Sequence, residues 1–554
     1  MKKTLLLLLL ALLYLSKAGA QELGANYNEN IAQPITEIQM LRNSEISWVR
    51  GFINIHSEFL TVENNVIVGI NEDAIRNSSL SRQFMAARAS LGEGVKFILS
   101  LKIPFQNDEG LVPEVGSEAC EYVFKAARLL LESFDMGRNI SLLVMGNEPM
   151  WENWNADLQS DDADDYKDFL NEFADRIAQW KREEGWTFEV FAGSLNRISE
   201  VPRPTIQAVM DVVNENPNVD GLDLHLHCYN VNQAENDLRL ARETYGVKKK
   251  LICTEFSMVR KLEGEGQDPN HRTASLGSWG TSHGYSSDMQ LYEYLDMAVK
   301  NASAGNPVSP DEFASLFESF GWYPRNWFTT FYNAFRNYDT YVITGRFSVV
   351  PNSDIYNFAP TYTADTRLWE LGGVYIPKLL GFNPDGTYVP NPLVYPDFMA
   401  AKNGMYIEKV IEGQREILLV LGNGIASPAD FTGKIVKDGK ETEFALAEGY
   451  ALLGGLAPDT AYSISVLDSG NNPVWTRTVS TAPLRNSFPV LKYTDAGKYT
   501  YICLQNLPDD AESCRLMIDG ETTAPVTASM EGNVLSAEIT YSDGSVETIT
   551  TDLK

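Results

Sequence analysis

Short runs of apolar residues alternate with longer helical patterns over about the first 350 residues of the chain. The runs are apolar at nearly every position, which is typical of parallel strands that are buried on both faces. They lie at residues 23–27, 46–53, 95–101, 140–146, 188–193, 219–227, 250–255 and 341–347. A closed (β/α)8 TIM barrel needs eight such strands with helices between them, so the sequence predicts this α/β fold for residues 21–395.

The clearest helix follows the fourth apolar run. Apolar residues recur on one helical face at Tyr166, Phe169, Leu170, Phe173, Ile177 and Trp180. Acidic residues at 161–165 favour a helix start, and Gly185 favours a helix end. The alternation of strand and helix therefore continues through this region, as a parallel barrel requires.

The pattern changes after a connector at residues 351–396, which is rich in Pro, Gly, Asn and Tyr. Short segments that alternate apolar and polar residues follow, separated by turn residues, as in β-sandwiches. A turn at residues 455–460 followed by Tyr462 resembles the corresponding feature of fibronectin type III domains. We therefore predict a sandwich of this kind at residues 396–485 and a second β-sandwich at residues 486–554.

Residues 1–20 have the parts of a secretory signal peptide. Lys2 and Lys3 precede a leucine-rich run at 5–13, and small residues at 18–20 form a cleavage site. No cysteine stands beside that site, so no lipid anchor is expected. Because no other apolar stretch is long enough to span a bilayer, the sequence predicts export to the periplasm, cell surface or medium without membrane insertion.

The chain is acidic, with 45 Lys and Arg residues against 74 Asp and Glu residues and a net charge of −29. This charge argues against nucleic acid and anionic membranes as partners. It also disfavours sulfated or uronic-acid polymers, although a local basic cleft would override the average. Cys503 and Cys514 either pair in an oxidising compartment or are free thiols. Neither a metal nor a cofactor is predicted, and the sequence does not indicate an oligomeric state.

Two glutamates stand where the fourth and seventh apolar runs end. The fourth run passes into Gly146, Asn147, Glu148 and Pro149, and the seventh ends at Glu255. Active sites of TIM barrels lie at the carboxyl ends of the strands. Two carboxyl groups about 5 Å apart can cleave a glycosidic bond with retention, one as acid and one as nucleophile. The alternatives are a loop-capping carboxylate for Glu148 and a buried ion pair for Glu255.

An asparagine and a glutamate at the end of strand four, with a second glutamate ending strand seven, resemble clan A of the glycoside hydrolases. The resemblance implies that Glu148 is the acid/base and Glu255 the nucleophile, and that Asn147 hydrogen-bonds the sugar hydroxyl next to the anomeric carbon. Arg50 matches the clan's strand-two arginine, which orients the nucleophile and lowers its pKa. A surface arginine at a strand end is the alternative for Arg50.

The sixth run ends in residues that alternate along one face. His225, His227 and Tyr229 share that face and point into the barrel and toward its mouth. In clan A a histidine and a tyrosine here contact the nucleophile or the sugar, so His227 and Tyr229 are predicted site residues. His225 fits the core and the site equally well. A zinc site would need a third and a fourth ligand, and neither stands at a suitable spacing.

Aromatic residues that can stack on sugar rings concentrate in the predicted rim loops. Trp151 follows the first glutamate, Trp279 and His283 lie in the loop after the second, and Trp322 precedes the last run. Core packing explains any one of them as well as substrate contact does. Together they predict an extended cleft for a polysaccharide or oligosaccharide.

The order of a secreted barrel, an acid/base near residue 150 and two trailing β-sandwiches is similar to the agarase and porphyranase family. This similarity implies endo cleavage of β-1,4 bonds in a red-algal galactan with retention. Clan A enzymes for xylan, mannan or β-glucan have the same two glutamates and are alternatives, as is a non-catalytic glycan-binding protein on a barrel scaffold. The last run ends in Thr344, Gly345 and Arg346, where many clan members have tryptophan.

Overall fold

The computed structural model describes the chain from residue 22 to residue 552, with gaps. The described ranges are 22–105, 111–153, 163–265, 269–349, 362–405, 407–421, 428–447, 449–468, 471, 473–483, 490–496, 499–505, 511–518, 521–522, 526–527, 534–541 and 544–552. The predicted signal peptide lies outside the described residues. None of the helices in these ranges is long and apolar enough to cross a membrane.

A closed barrel of eight parallel strands lies in the first of two compact units, Met1–Tyr395. Successive strands pair in chain order around the barrel, and the eighth pairs with the first. The strands are Glu22–Asn26, Trp48–Asn54, Lys96–Lys102, Leu142–Met145, Glu189–Asn196, Gly221–His227, Lys250–Ser257 and Thr340–Arg346. Each overlaps one of the eight apolar runs, which confirms the predicted barrel.

Side chains that alternate along the strands fill the barrel in layers. An apolar layer toward the amino ends contains Trp48, Ile98, Leu142, Val144, Phe191, Ile252 and Val342. Two residues farther along four of these strands, the inward positions become polar and are almost completely buried, at Arg50, Ser100, Thr254 and Thr344. Apolar side chains therefore close the floor of the barrel, and the polar groups collect at its carboxyl end.

The helix predicted after the fourth strand is present as Asp164–Glu184, with Gly185 in a left-handed conformation at its end. The α-helices in the described ranges are Ile38–Asn43, Ile55–Phe59, Glu72–Arg76, Ser79–Leu91, Glu118–Glu132, Met136–Asn139, Pro149–Glu152, Asp164–Glu184, Pro204–Glu215, Val231–Arg239, Val259–Glu263, Gly277–Ser282, Leu291–Ser303, Pro310–Ser319, Trp327–Asn337, Pro377–Leu380 and Tyr395–Asn403. A hairpin of strands Leu60–Glu63 and Val66–Ile70 follows the second barrel strand.

The described part of the predicted connector packs on the barrel unit. Leu368, Leu371, Ile376 and Leu379 belong to one apolar cluster with residues of the helix Leu291–Ser303. This packing fixes a short 3-10 helix, Trp369–Gly372, beside the carboxyl end of the barrel.

The second compact unit is Pro396–Lys554. Its first two antiparallel sheets consist of Ile407–Glu412, Ile417–Leu421 and Tyr450–Leu453, and of Thr432–Lys437, Lys440–Phe444, Ala461–Leu467 and Pro473–Ser480. They share an apolar core, as the sheets of a β-sandwich do. The hydroxyl of Tyr462 accepts a hydrogen bond from the backbone N–H of Ala457 at 2.8 Å, which closes the predicted turn.

Two further antiparallel sheets follow. They consist of Val490–Ala496, Tyr499–Gln505 and Val526–Thr527, and of Ala511–Ile518, Glu521–Thr522, Val534–Tyr541 and Val546–Asp552. A barrel followed by small all-β regions is the predicted fold class. Cys503 and Cys514 belong to strands of different sheets, and their side chains lie outside the described part of the structure, so their pairing stays a prediction.

Candidate active site

Arg50 lies fully buried under the carboxyl end of the barrel and connects several strand ends. Its Nη1 donates to Oε1 of Glu255 at 2.6 Å and to the amide oxygens of Asn26 and Asn28 at 3.1 Å. Its Nη2 donates to Oδ1 of Asn147 at 3.2 Å. The surface alternative for Arg50 is therefore wrong, because this guanidinium fixes the orientation of Glu255 and Asn147 from below.

Replacing Arg50 with glutamine is expected to lower the free energy of unfolding by about 3–5 kcal/mol, because the charge on Glu255 then loses its buried partner. Urea unfolding measures the change. The matched control is Arg82→Gln, since Arg82 is exposed and its guanidinium lies 5.6 Å from the ring of Phe134. The control should change stability by less than about 0.5 kcal/mol. Equal stability of the two variants would contradict the ion pair's structural role.

Glu255 is held as a carboxylate. Burial alone would raise its pKa, but the positive charges of His225, Arg50 and His227, together with a hydrogen bond from His227, hold the pKa well below its usual value. The register between strands six and seven shifts between Leu224 and His225, directly before the level of Glu255. The carboxylate reaches the barrel mouth, with 12% of its side chain exposed. An ionised, oriented carboxylate of this kind can act as a nucleophile.

The backbone that presents Glu148 depends on the glycine two residues before it. Gly146 has a φ of 97°, and a Cβ there would lie 2.5 Å from the carbonyl oxygen of Gly193. Glu148 itself has a φ of 40°, in the left-handed region. A non-glycine residue there costs about 1–3 kcal/mol, and such strain clusters at functional sites. The strand end is therefore shaped to turn this one carboxyl into the barrel mouth.

Glu148 shares its hydrogen bonds with two strand-end side chains. Its Oε1 accepts from Nδ2 of Asn196 at 2.9 Å and lies 3.0 Å from Nδ1 of His225. Burial raises the pKa of Glu148, but the hydrogen bond to His225 and the charges of His225 and His227 outweigh burial, so the pKa lies below its usual value. Glu148 is thus paired with a group that can hand it a proton.

The imidazole of His227 lies between the carboxylates of Glu148 and Glu255. Its Nε2 lies 3.8 Å from Oε1 of Glu148 and 3.6 Å from Oε2 of Glu255, while its Nδ1 is 2.9 Å from Oγ of Ser257. Two oxygens that lie within 3.8 Å of one atom are separated by no more than twice that distance. Such a gap accommodates the separation of about 5 Å that a retaining pair needs.

His225 belongs to the site and not only to the core. Its Nε2 lies 3.1 Å from Oγ1 of Thr254, and that hydroxyl donates its single proton to Oδ2 of Asp223 at 2.6 Å. The hydroxyl oxygen must therefore accept from Nε2–H, which leaves Nδ1 to face Glu148. Burial lowers the pKa of His225, but the charges of Glu255 and Asp223 and the interactions with Glu148 raise it overall.

Asn147 is fixed on two sides. Its Oδ1 accepts from Arg50, and its Nδ2 donates to Oε1 of Glu152 at 2.8 Å. Glu152 is also 2.7 Å from Nζ of Lys102, and burial raises its pKa to about 7 in spite of that cation. One amide hydrogen of Asn147 is left for a ligand, as the clan A resemblance implies for this residue.

A cleft of about 260 Å³ opens above these groups. Of the predicted site residues, it is lined by Asn147, Glu148, Trp151, His227 and Glu255. Residues that were not predicted also line it, among them Asn26, Asn28, Phe52, Asn196, Arg197, Arg260, Arg346, Arg367 and Trp369. Asn196 and Arg346 end barrel strands, so the rule that found the two glutamates would have found them too. Trp369 carries no such signal, since it comes from the connector.

Trp151 reaches the cleft, but arginines lie against its ring. The guanidinium of Arg197 lies 4.8 Å from the ring centroid, and that of Arg203 lies 4.7 Å from it. The ring of Trp369 also lines the cleft and meets the ring of His227 edge to face, with the centroids 4.8 Å apart. Trp151 therefore contacts cations, and Trp369 is the aromatic surface that the sequence did not reveal.

Four other predicted residues lie away from this cleft. Trp279 is buried in an apolar cluster and donates to Oγ of Ser315, and the exposed ring of His283 stacks on it at 4.1 Å. Trp322 stacks on His271 at 4.0 Å beside a separate cavity. Tyr229 lies beyond the end of strand six, where its hydroxyl accepts from Lys261. The composition of the loops did not show which aromatic rings their helices bury.

Glu148, His225 and His227 also form a group that could hold a metal ion, because one ligand atom from each lies within 4.8 Å of the others. The sequence did not predict this set, since the third group comes from a distant strand. Three ligands leave a coordination position open, as in catalytic zinc sites. A metal here would replace the hydrogen bond between His225 and Glu148.

Comparisons with known proteins found no family model and no curated protein that matches the sequence. Similar solved structures include a beta-glucuronidase from Parabacteroides merdae, with 10% identity and a TM-score of 0.36 over 96% of this chain and 63% of that chain. An endo-beta-1,4-mannanase from Thermotoga petrophila has 10% identity and a TM-score of 0.40, covering 84% and 98%. A family 39 glycoside hydrolase from Bacteroides cellulosilyticus has 13% identity and a TM-score of 0.38, covering 79% and 80%. This chain thus spans less than two thirds of the length of the first.

Proposed function

We propose that the protein is a retaining glycoside hydrolase that cleaves a polysaccharide or oligosaccharide by double displacement. One observation carries the proposal. Carboxylate oxygens of Glu148 and Glu255 both lie within 3.8 Å of Nε2 of His227 at the mouth of the barrel. A retaining glycosidase needs two carboxyl groups that lie about 5 Å apart and differ in pKa, one as acid/base and one as nucleophile.

The environments assign the two roles. Glu255 pairs with a guanidinium, which cannot be deprotonated and therefore keeps this carboxylate charged and available as the nucleophile. Glu148 pairs with an imidazole, which can give and take a proton near neutral pH. Glu148 is therefore the general acid and base.

Cleavage proceeds in two steps. Glu148 donates to the glycosidic oxygen the proton that it shares with His225, while the carboxylate of Glu255 attacks the anomeric carbon and the leaving sugar departs. The resulting glycosyl ester on Glu255 is then attacked by water, which loses its proton to the Glu148 carboxylate as the ester bond breaks. Two inversions at the same carbon give a product with the starting anomeric configuration.

The charge on Glu255 helps Glu148 to change roles between the steps. Repulsion from Glu255 is one of the influences that raise the pKa of Glu148. Ester formation removes that negative charge, so the pKa of Glu148 falls once the intermediate exists. The same carboxyl is therefore protonated to a greater extent before the ester forms, when it acts as the acid, and is more fully ionised afterwards, when it acts as the base.

A red-algal β-1,4-galactan such as agarose or porphyran is the proposed substrate, cut internally, with xylan, mannan and β-glucan as alternatives. Residues 1–20 would export the enzyme to where such polymers occur, and we propose a location outside the cytoplasm. Reducing-sugar release and product chromatography over this panel test the function, with Glu148→Gln and Glu255→Gln as inactive controls. Binding without release from any polymer would favour a non-catalytic glycan-binding protein.

Removing metal ions is expected to leave activity unchanged, because both proposed steps use only carboxyl groups. Dialysis against a chelator, followed by reducing-sugar release and by metal analysis of the protein, measures this. Loss of activity that zinc restores would mean that Glu148, His225 and His227 act as ligands. That result would remove the acid/base role of Glu148.

A further inference from the structure

We infer that the glycan bound in the cleft carries an anionic group, a carboxylate or a sulfate ester, held by an arginine rim formed by Arg197, Arg346 and Arg367. All three residues line the same cleft as Glu148 and Glu255. The inference rests on the proposed function, because it takes this cleft as the sugar site.

The acids of the cleft already have cationic partners. Each of the four lining glutamates lies beside a different one: Glu255 beside Arg50, Glu148 beside His225, Glu152 beside Lys102 and Glu265 beside Arg260. The arginine rim is therefore not needed to neutralise the catalytic pair or its lining neighbours. Three further guanidinium groups that line one cleft stand out in a chain whose net charge is −29.

The local chain turn and an aromatic contact position Arg197 at the rim. It directly follows Asn196, which donates to Glu148, and its φ of 52° turns the chain at the end of strand five. Its guanidinium lies over the ring of Trp151, as does that of Arg203. Within the described ranges, Arg197 forms no ion pair with a carboxylate. Stacking on an aromatic ring orients a guanidinium and leaves its N–H groups free to bind an anion.

Arg346 lines the cleft from strand eight, whereas Arg197 follows the end of strand five. It is the last residue of strand eight and lies level with Asn26, whose amide oxygen accepts from Arg50. Thr344 is directed into the barrel, since its hydroxyl donates to the carbonyl of Thr254. Side chains alternate along a strand, so Arg346 also faces the mouth.

Arg367 adds a third cation beside Trp369, with its guanidinium 5.3 Å from the ring centroid. Its Nε is 2.9 Å from Oε1 of the buried Glu263, and Nη1 of Arg272 is 3.8 Å from Oε2 of the same carboxylate. Two guanidinium groups therefore share one negative charge.

The proposed reaction explains why arginines beside the sugar would require an anionic substrate. Positive charge develops on the sugar ring in the transition state, so guanidinium groups beside the anomeric centre oppose it. An anionic substituent on the substrate removes that opposition by pairing with them. The planar fork of a guanidinium binds both carboxylate and sulfate oxygens in a bidentate manner.

Binding of single sugars tests the inference without requiring cleavage. Wild-type protein is titrated by calorimetry with D-glucuronate and D-galactose 6-sulfate, and with neutral D-glucose and D-galactose. At least one anionic sugar should bind about tenfold tighter than its neutral parent, with an affinity that falls as salt is added. Comparing the two anionic sugars shows whether the site prefers a carboxylate or a sulfate.

Variants locate the binding. Arg197→Gln and Arg346→Gln should each remove most of the preference for the anionic sugar, and Arg82→Gln should keep it; thermal unfolding verifies that all three fold. Equal binding of charged and neutral sugars, no binding of either anionic sugar, or an unchanged preference in both rim variants would overturn the inference. Anionic binding without hydrolysis of any polymer would instead overturn only the proposed function.

Discussion

Replacing Glu255 with alanine is expected to lower turnover by at least about 10⁴-fold, because the variant lacks the carboxylate that forms the covalent intermediate. Glu255→Gln should be equally inactive, since an amide is a poor nucleophile. The glutamine keeps the volume of the side chain and an oxygen that can accept from Arg50, so this variant should fold. Initial rates on the cleaved polymer, with circular dichroism as the folding control, measure the effect.

Small anions should restore part of the activity of Glu255→Ala. Azide can occupy the vacated space, where the guanidinium of Arg50 offers it a positive partner, and attack the anomeric carbon in place of the carboxylate. A single displacement gives a glycosyl azide of inverted configuration. If Glu255→Ala or Glu255→Gln kept wild-type rates without azide, the nucleophile would have to be another group.

Replacing Glu148 with glutamine is expected to lower turnover on polysaccharides by about 10²–10⁴-fold, the usual contribution of a general acid and base. The loss should depend on the leaving group. An aryl glycoside with an acidic phenol leaves without help, so its first step should stay fast while hydrolysis of the ester becomes slow. A burst of phenol followed by a slow steady rate would show this, and azide should then give a product of retained configuration.

The pH profile separates the two glutamates. Activity of the wild type should fall as pH rises, because the Glu148 and His225 pair then loses the proton that the first step needs. Activity should hold down to pH values below the ordinary glutamate pKa of about 4.3, because the pKa of Glu255 is held well below its usual value. In Glu148→Gln the fall at high pH should disappear for the aryl glycoside. A profile identical to that of the wild type would remove Glu148 from its role.

Site residues in or at the ends of strands are the ones that the sequence predicts best. Glu148, Glu255 and Arg50 could be predicted because each stands in or at the end of an apolar run, and parallel strands end at one rim. The position of His225 stayed open because alternation gives the face of a residue and not its depth. Its contact with Glu148 depends on how far strands four and six are staggered, and one sequence does not contain that quantity.

Loop residues show the limit of the same reasoning. Trp279 and Trp322 were predicted from loop segments, but Trp279 is buried in an apolar cluster, and Trp322 packs against the same cluster and on His271. Trp369 reaches the cleft because Leu368 and Leu371 beside it pack into that cluster and hold its short helix in place. Which of these rings reaches the cleft depends on tertiary packing, and no local sequence pattern indicates it.

Net charge does not show where the cations of a chain collect. The average of −29 argued against anionic polymers, whereas Arg197, Arg346 and Arg367 line one small cleft. A substrate responds to the field inside the cleft more than to the average charge of the surface, since low-dielectric walls focus local charges. The sequence could have indicated Arg346 as a cleft residue, because it ends strand eight. No pattern in the sequence indicates that Arg367 lines the same cleft.

Trapping the covalent intermediate tests the central claim most directly. Glu148→Gln, incubated with an aryl glycoside of the sugar that the wild type releases, should accumulate a glycosyl ester. Mass spectrometry of the whole protein and of its peptides should place one added sugar on the side chain of Glu255. An adduct on a different residue, or turnover by the wild type with inversion and no adduct, would contradict the account.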